Sequence, residues 1–243
     1  MFTLVGASVD IPYKVYKVLG YLGPKLYFLR LPKEDRSEDE SLKQSREDFS
    51  EKQKRIQSAL FEYLKWLEIR SDMQVEKESS ISKIQWDFPK DDETAERYII
   101  RLAKLLAHLH GVALTWETWD TQGSDYGYSR PIIEDPSRAT TQLKNLARGH
   151  ALLHGRNYLT KEDIPIVIKT VLSTASVERV SVFDKLLIYD GKLTTTQITG
   201  ALNISSPTAK RTMTELSVLE LVTMTELGEY EGHGKKDYIK ARV

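Results

Sequence analysis

At 243 residues, 40% of them hydrophobic, the chain is long enough for two modest domains with ordinary cores. Its 35 basic and 35 acidic side chains cancel, which argues against a strongly cationic nucleic-acid clamp and against a polybasic membrane anchor. There is no cysteine, hence no disulfide, thiolate metal site or cysteine nucleophile; no apolar run approaches membrane-spanning length and the N-terminus lacks a signal-peptide pattern, so a soluble, cytoplasmic protein is expected.

The chain opens with a short apolar run, Phe2 to Ala7, expected as a buried strand. "IPYKVYKVLGYLG" is expected as a helix stopped by Gly23 and Pro24, and "KLYFLRL" as a second strand rich in aromatic and branched residues. From Lys33 to about Arg70 the chain is highly charged. Its first half reads as a solvated helix face or a linker, and Ile56, Leu60, Tyr63, Leu64 and Leu67 give its second half a helical stripe. A further helix is expected from about Glu93 to Leu114, with Ala95, Ile99, Leu102, Leu106 and Leu109 on one face. Thr115 to Ser137, with Trp116, Trp119, Tyr126 and Tyr128, reads as an irregular connection whose aromatics tie it to the helices beneath, the alternative being that they stack bases or bind a partner. Asp135 and Pro136 start a helix carrying Ala139, Leu143, Leu146, Ala147 and Ala151 on one side. Thr160 and Asp163 frame the next start, with Leu159 and Ile164 as its hydrophobic staple.

The last third carries a helix-turn-helix pattern. Thr194 and Gln197 form a capping box, Ile198, Ala201 and Leu202 make an apolar face, and Asn203 to Ser205 is a tight connection. Ser206 is expected to cap the second helix, with Pro207 at its first position. Ala209, Met213 and Leu216 lie on one stripe, and Arg211, Thr214 and Glu215 on the other side, with Lys210 on the flank. "LVTMT" and "DYIKA" are strand-like runs around a charged, Gly-rich wing from Glu226 to Lys236. The pattern predicts a winged helix whose second helix offers its N-terminal half to the major groove. Its expected DNA contacts are Ser206, Thr208, Lys210, Arg211, Thr214, Lys235 and Lys236. From Val177 to Val243 nine Lys or Arg face nine Asp or Glu, so the basic footprint of a DNA-binding domain is thin. The alternative use of the same fold is docking on a protein partner.

No Gly-x-Ser-x-Gly elbow occurs, and no metal is expected: His108 and His110 point different ways, and His150 and His154, four apart, lack a carboxylate at matching spacing. Gly149 and Gly155 beside that pair read as tight helix packing. Nor does the sequence contain the Gly-rich cradle, Lys and Ser or Thr of a P-loop; Gly191-Lys192 is followed by Leu193 and reads as a turn before the helix at Thr194.

"EDPSRATTQLKNLARGHALLHGRNYLTKEDI" is similar to the C-terminal lid of AAA+ ATPases of the MoxR and minichromosome-maintenance type. "FTLVGASVDIPYKVYKVLGYLGPKLYFLRLP" resembles the sensor-1 strand of that superfamily and the segment after it. The order of segments, with a winged helix last, looks most like ATPases of phages and mobile elements. The resemblance implies nucleotide-sensing roles for Ser8 at the sensor-1 place and Arg138 at the sensor-2 place, where an Arg fork suits the γ-phosphate. Lys25 stands where related sequences often carry an Arg that reaches a neighbouring subunit's nucleotide. Lys lacks the fork, and Arg30 is the alternative. Without a P-loop or a strand ending in paired acids before Ser8, the chain is expected to begin after the nucleotide-binding half, as a truncated piece, a split gene or a remnant.

The expected fold is mainly α: a sensor-1-like α/β segment over residues 1–35, a helical lid-like domain over 36–175 and a winged helix over 176–243. The expected function is a DNA-engaging lid-plus-winged-helix module of an AAA+ ATPase or helicase-like protein, not catalytic alone. ATP and magnesium are cofactors only with the nucleotide-binding half. The expected partners are duplex DNA and either that half or a second copy. Protein docking, or a winged-helix transcription regulator, is the alternative.

Overall fold

A computed structural model describes residues 15, 26–31, 36–69, 85–120, 123–227 and 236–241. The expected strand at Phe2 to Ala7, Ser8, Lys25, Lys235 and the wing residues 228–235 lie outside these.

Helix α1 (Glu38–Arg46) begins at a capping box in which Ser37 and Glu40 satisfy each other's backbone N–H groups. Helix α2 (Phe49–Ile69) follows, with Phe49, Ile56, Leu60 and Leu64 exposed. The expected strand around Leu26–Leu31 is not formed: this stretch is irregular, its Tyr27 ring packing on the helical core.

Helix α3 (Glu93–His110) starts at Asp92, whose side chain accepts from Thr94 N and Ala95 N. It stops at Gly111, four residues before the expected end. Helices α4 (Ser137–Leu153) and α5 (Ile164–Thr174) pack against it. Ile99, Ala103 and Leu106 of α3, Ala139, Leu143 and Ala147 of α4, and Val167 and Val171 of α5 form one buried cluster. Small residues on α4 let the helices approach closely, and Lys144 of α4 pairs with Glu96 of α3.

The stretch expected to be irregular, Thr115 to Ser137, is ordered in its first part. Strands β1 (Thr115–Asp120) and β2 (Gly123–Tyr128) form an antiparallel hairpin in which Trp116 faces Gly127. A Cβ at Gly127 would come within 2.6 Å of the Trp116 indole nitrogen, so the ring occupies the space a side chain would need. Val112 and Ile132 bridge across the hairpin's base.

After Ala175 and Ser176 comes α6 (Val177–Ile188), then β3 (Lys192–Thr194), α7 (Thr195–Leu202), α8 (Ser206–Val218), β4 (Val222–Leu227) and β5 (Lys236–Ala241). The three strands form an antiparallel sheet in the order β3-β5-β4. Thr194 and Gln197 make the expected capping box. Asn203 takes the left-handed conformation at the end of α7, with φ 51°. The cap of α8 is Ser205 rather than Ser206; its hydroxyl accepts from Thr208 N. A second buried cluster joins Val182 and Leu186, Leu193, Ile198, Met213 and Leu216, Val222 and Ile239 with Leu109 of α3. Helix α3 therefore serves both cores, four turns of it under α4 and α5 and its last turn under the C-terminal unit. Among the described residues no helix is long and apolar enough to cross a membrane.

Candidate functional site

Arg138 stands exposed in the first turn of α4. Beneath it lie Tyr27 and Glu134, both with buried oxygens that find no hydrogen-bond partner. Burial first, and then the Glu134 charge, push the Tyr27 hydroxyl up to about 12, with Arg138 pulling the other way. Burial raises the Glu134 carboxyl, again against Arg138. This is a cluster of polar groups beside one exposed guanidinium at a helix start, where an anion is favoured.

At the other end of α4 a buried carboxylate organises the turn into α5. Asp163 is fully buried and accepts from both terminal nitrogens of Arg156, each at 2.9 Å, from Thr160 N at 2.9 Å, and from His150 Nδ1 at 2.8 Å. Burial pushes its carboxyl up, but the hydrogen bonds from Arg156, His150 and Thr160 outweigh this and hold it below the usual carboxylate range. The Thr160 and Asp163 framing read from the sequence is thus a capping box inside a larger network.

The junction of the two cores is held by a side chain the sequence reading passed over. Arg179, 4% exposed, donates from Nε to Glu215 Oε2 at 3.0 Å and from Nη1 to the carbonyls of Leu109 at 2.9 Å and Gly111 at 2.7 Å. The guanidinium thereby caps the C-terminal end of α3 and pairs with α8 in one stroke. His108 Nδ1 donates to the Leu219 carbonyl at 2.8 Å. Its neighbour His110 is buried, and burial, then the Arg179 charge, hold its pKa below the ordinary histidine value, favouring the neutral ring. In phase with Val182 and Leu186, Arg179 sits on the apolar stripe of α6; that misplaced charge was the available signal.

Residues 135–174 match the family model of the AAA lid domain. The match supports an AAA+ ATPase lid over α4, the turn at Asp163 and α5. No curated protein and no solved structure matches the chain.

In the lid, Arg138 is at the start of the first matched helix, open to solvent. Arg30 is turned inward: its Nη2 donates to the Ala175 carbonyl at 2.6 Å and its Nη1 to that of Leu172 at 3.4 Å. Phe28 N donates to Thr174 Oγ1 at 3.0 Å beside it. Arg30, the alternative to Lys25, thus caps the last turn of α5.

The residues expected to meet DNA divide. Ser206 is exposed, and Thr208, Lys210 and Arg211 are half-buried on the N-terminal half of α8. Thr214 is 7% exposed and its hydroxyl donates to the Lys210 carbonyl. Glu215, expected on the same open side, is 2% exposed against Arg179. Thr214 Oγ1 lies 3.9 Å from Met224 Sδ of β4, and the hairpin lies against α8 at Pro207 and Glu215. Tyr126 Oη donates to the Pro207 carbonyl at 3.1 Å, and Thr115 Oγ1 lies 3.5 Å from Glu215 Oε1. Arg211 Nε is 4.0 Å from the same carboxylate. Lys236 opens strand β5.

Proposed function

We propose that the chain is the lid-bearing C-terminal portion of an AAA+ ATPase and that it carries, as a rigid attachment, a winged helix that engages duplex DNA. Helix, strand, two helices and a hairpin with sheet order β3-β5-β4 support the winged-helix reading. The observation that carries the coupling is Arg179, buried between the end of α3 and Glu215 of α8. Motion imposed on the lid would move the winged helix with it. Arg138 is the side chain we assign to the nucleotide's phosphates, in combination with a nucleotide-binding half that supplies ATP and magnesium; Ser8 and Lys25 keep the sensing roles the resemblance implies. The chain alone is not proposed to catalyse anything. The order of segments agrees with the MoxR and minichromosome-maintenance type and with ATPases of mobile elements.

Burial of Thr214 and Glu215 limits α8 to its first two turns, so the proposed DNA contact is to phosphates and without sequence preference. Ser206, Thr208, Lys210 and Arg211, with Lys235 and Lys236 of the wing, are the proposed donors. Fluorescence anisotropy with labelled duplexes at several salt concentrations tests it. Each Lys→Ala change is expected to weaken binding equally across sequences and to flatten the salt slope by about one phosphate's worth. Thr214→Val is expected to leave binding unchanged. No binding at low salt, or full binding by an Arg211, Lys235 and Lys236 triple Ala variant, would sink the DNA reading. The hairpin's contact with α8 favours a second reading, docking on a protein partner, which would then replace it.

A further inference from the structure

At the last turn of α4, on the side of the lid away from Arg138, two imidazoles meet. His150 Nε2 and His154 Nε2 are 3.2 Å apart, and the rings are 4.5 Å between centroids. We propose that this pair is a binding site for a first-row transition metal ion of the copper, nickel or zinc kind.

Three observations carry it. The first is separation. Two nitrogens bound at about 2.0–2.1 Å to one tetrahedral zinc lie roughly 3.3 Å apart, which is the spacing already present here. The second is the tautomer. Asp163 accepts from both terminal nitrogens of Arg156, and His150 Nδ1 donates to it across 2.8 Å. That leaves the Nε2 lone pair of His150 on the side of His154, 3.2 Å from its Nε2. A carboxylate behind the ligating imidazole also fixes its ring, the arrangement metal-binding histidines use. The third is access. His154 is exposed and His150 is 28% exposed in its side chain, so an ion reaches the pair from solvent.

Without metal the His154 Nε2–H is the donor that fits between the rings. With metal, His154 carries its proton on Nδ1, facing water, and both Nε2 lone pairs meet the ion. Among the described residues no third His, Cys, Asp or Glu completes the set, so water fills the remaining positions. The site therefore exchanges its ion readily and follows the general affinity order, with Cu²⁺ above Ni²⁺. Magnesium, which prefers oxygen, is not held. The bound ion would staple the last turn of α4 to the Asp163 network that starts α5.

The test is isothermal titration of the full-length chain, free of any purification tag, with Cu²⁺, Ni²⁺, Zn²⁺ and Mg²⁺, alongside His154→Ala and His154→Gln. Because His154 is exposed, both variants keep the fold, and the Gln variant keeps the volume. One Cu²⁺ per chain, tighter than Ni²⁺, with no Mg²⁺ binding and at least about tenfold weakening in both variants, supports the site. An absence of saturable Cu²⁺ binding, or affinity unchanged in both variants, overturns it.

Discussion

At the scale of single residues, the two buried charged networks set how the protein responds to acid. His110 has a folded-state pKa below its ordinary value, so the folded form binds fewer protons there than the unfolded chain. That contribution is whole above about pH 6.5 and drains away as pH falls below it. Asp163 is also depressed, so its contribution is whole above about pH 4 and is lost as pH falls through its folded value. Stability measured by urea unfolding is expected to fall in two stages on acidification. His110→Gln should remove the upper stage and leave the lower. A flat profile from pH 7 to 5 in the parent chain would contradict the buried neutral His110. Removing one partner of a buried pair is more severe than titrating it: Asp163→Asn leaves Arg156 facing a neutral amide and is expected to cost about 3–5 kcal/mol.

At the scale of elements, the join between α3 and the C-terminal unit leaves no room. A Cβ on Gly111 would lie 2.7 Å from Leu219 Cδ2, 3.1 Å from the His108 carbonyl and 3.2 Å from that of Ile132. Leu219 is fully buried and the carbonyls are backbone, so none of the three moves cheaply. Gly111→Ala is expected to destabilise by about 1–3 kcal/mol, read from the urea midpoint, whereas Gly149→Ala, with open space around it, should be neutral or stabilising. The sequence showed most of these elements. Caps at Thr160 and Thr194 and the apolar stripes of α3 and α4 are local signals, each complete within a turn or two. The hairpin was hidden because Trp116 and Trp119, three apart, fall on opposite faces of Thr115–Asp120, and Gly123–Tyr128 carries Gly, Ser and Asp beside its two Tyr, so neither strand shows an apolar face. Burial of Glu215 depends on Arg179 and on Thr115 of that hairpin, 36 and 100 positions away, and no local pattern reports it. At the candidate site, Arg138 was legible through resemblance alone, and the Arg179 pairing only through a charge out of place on an apolar stripe.

At the scale of the whole molecule, the helices that match the AAA lid domain and a second core meet through one shared helix and one buried guanidinium. The chain alone is expected to show no saturable ATP hydrolysis. Combined with a nucleotide-binding half that restores turnover, Arg138→Ala should lower the rate by about an order of magnitude or more, as loss of a phosphate-facing cation does. Unchanged turnover in that variant would remove Arg138 from the site. The coupling itself is open to a direct measurement by differential scanning calorimetry of the chain beside Arg179→Ala. If lid and C-terminal unit are one body, the parent melts in a single transition over residues 85–241, with calorimetric and van't Hoff enthalpies equal. Arg179→Ala, which strands Glu215 and the α3 carbonyls, should separate that melt into two transitions. Two independent transitions in the parent, or one undisturbed transition in the variant, would contradict the account.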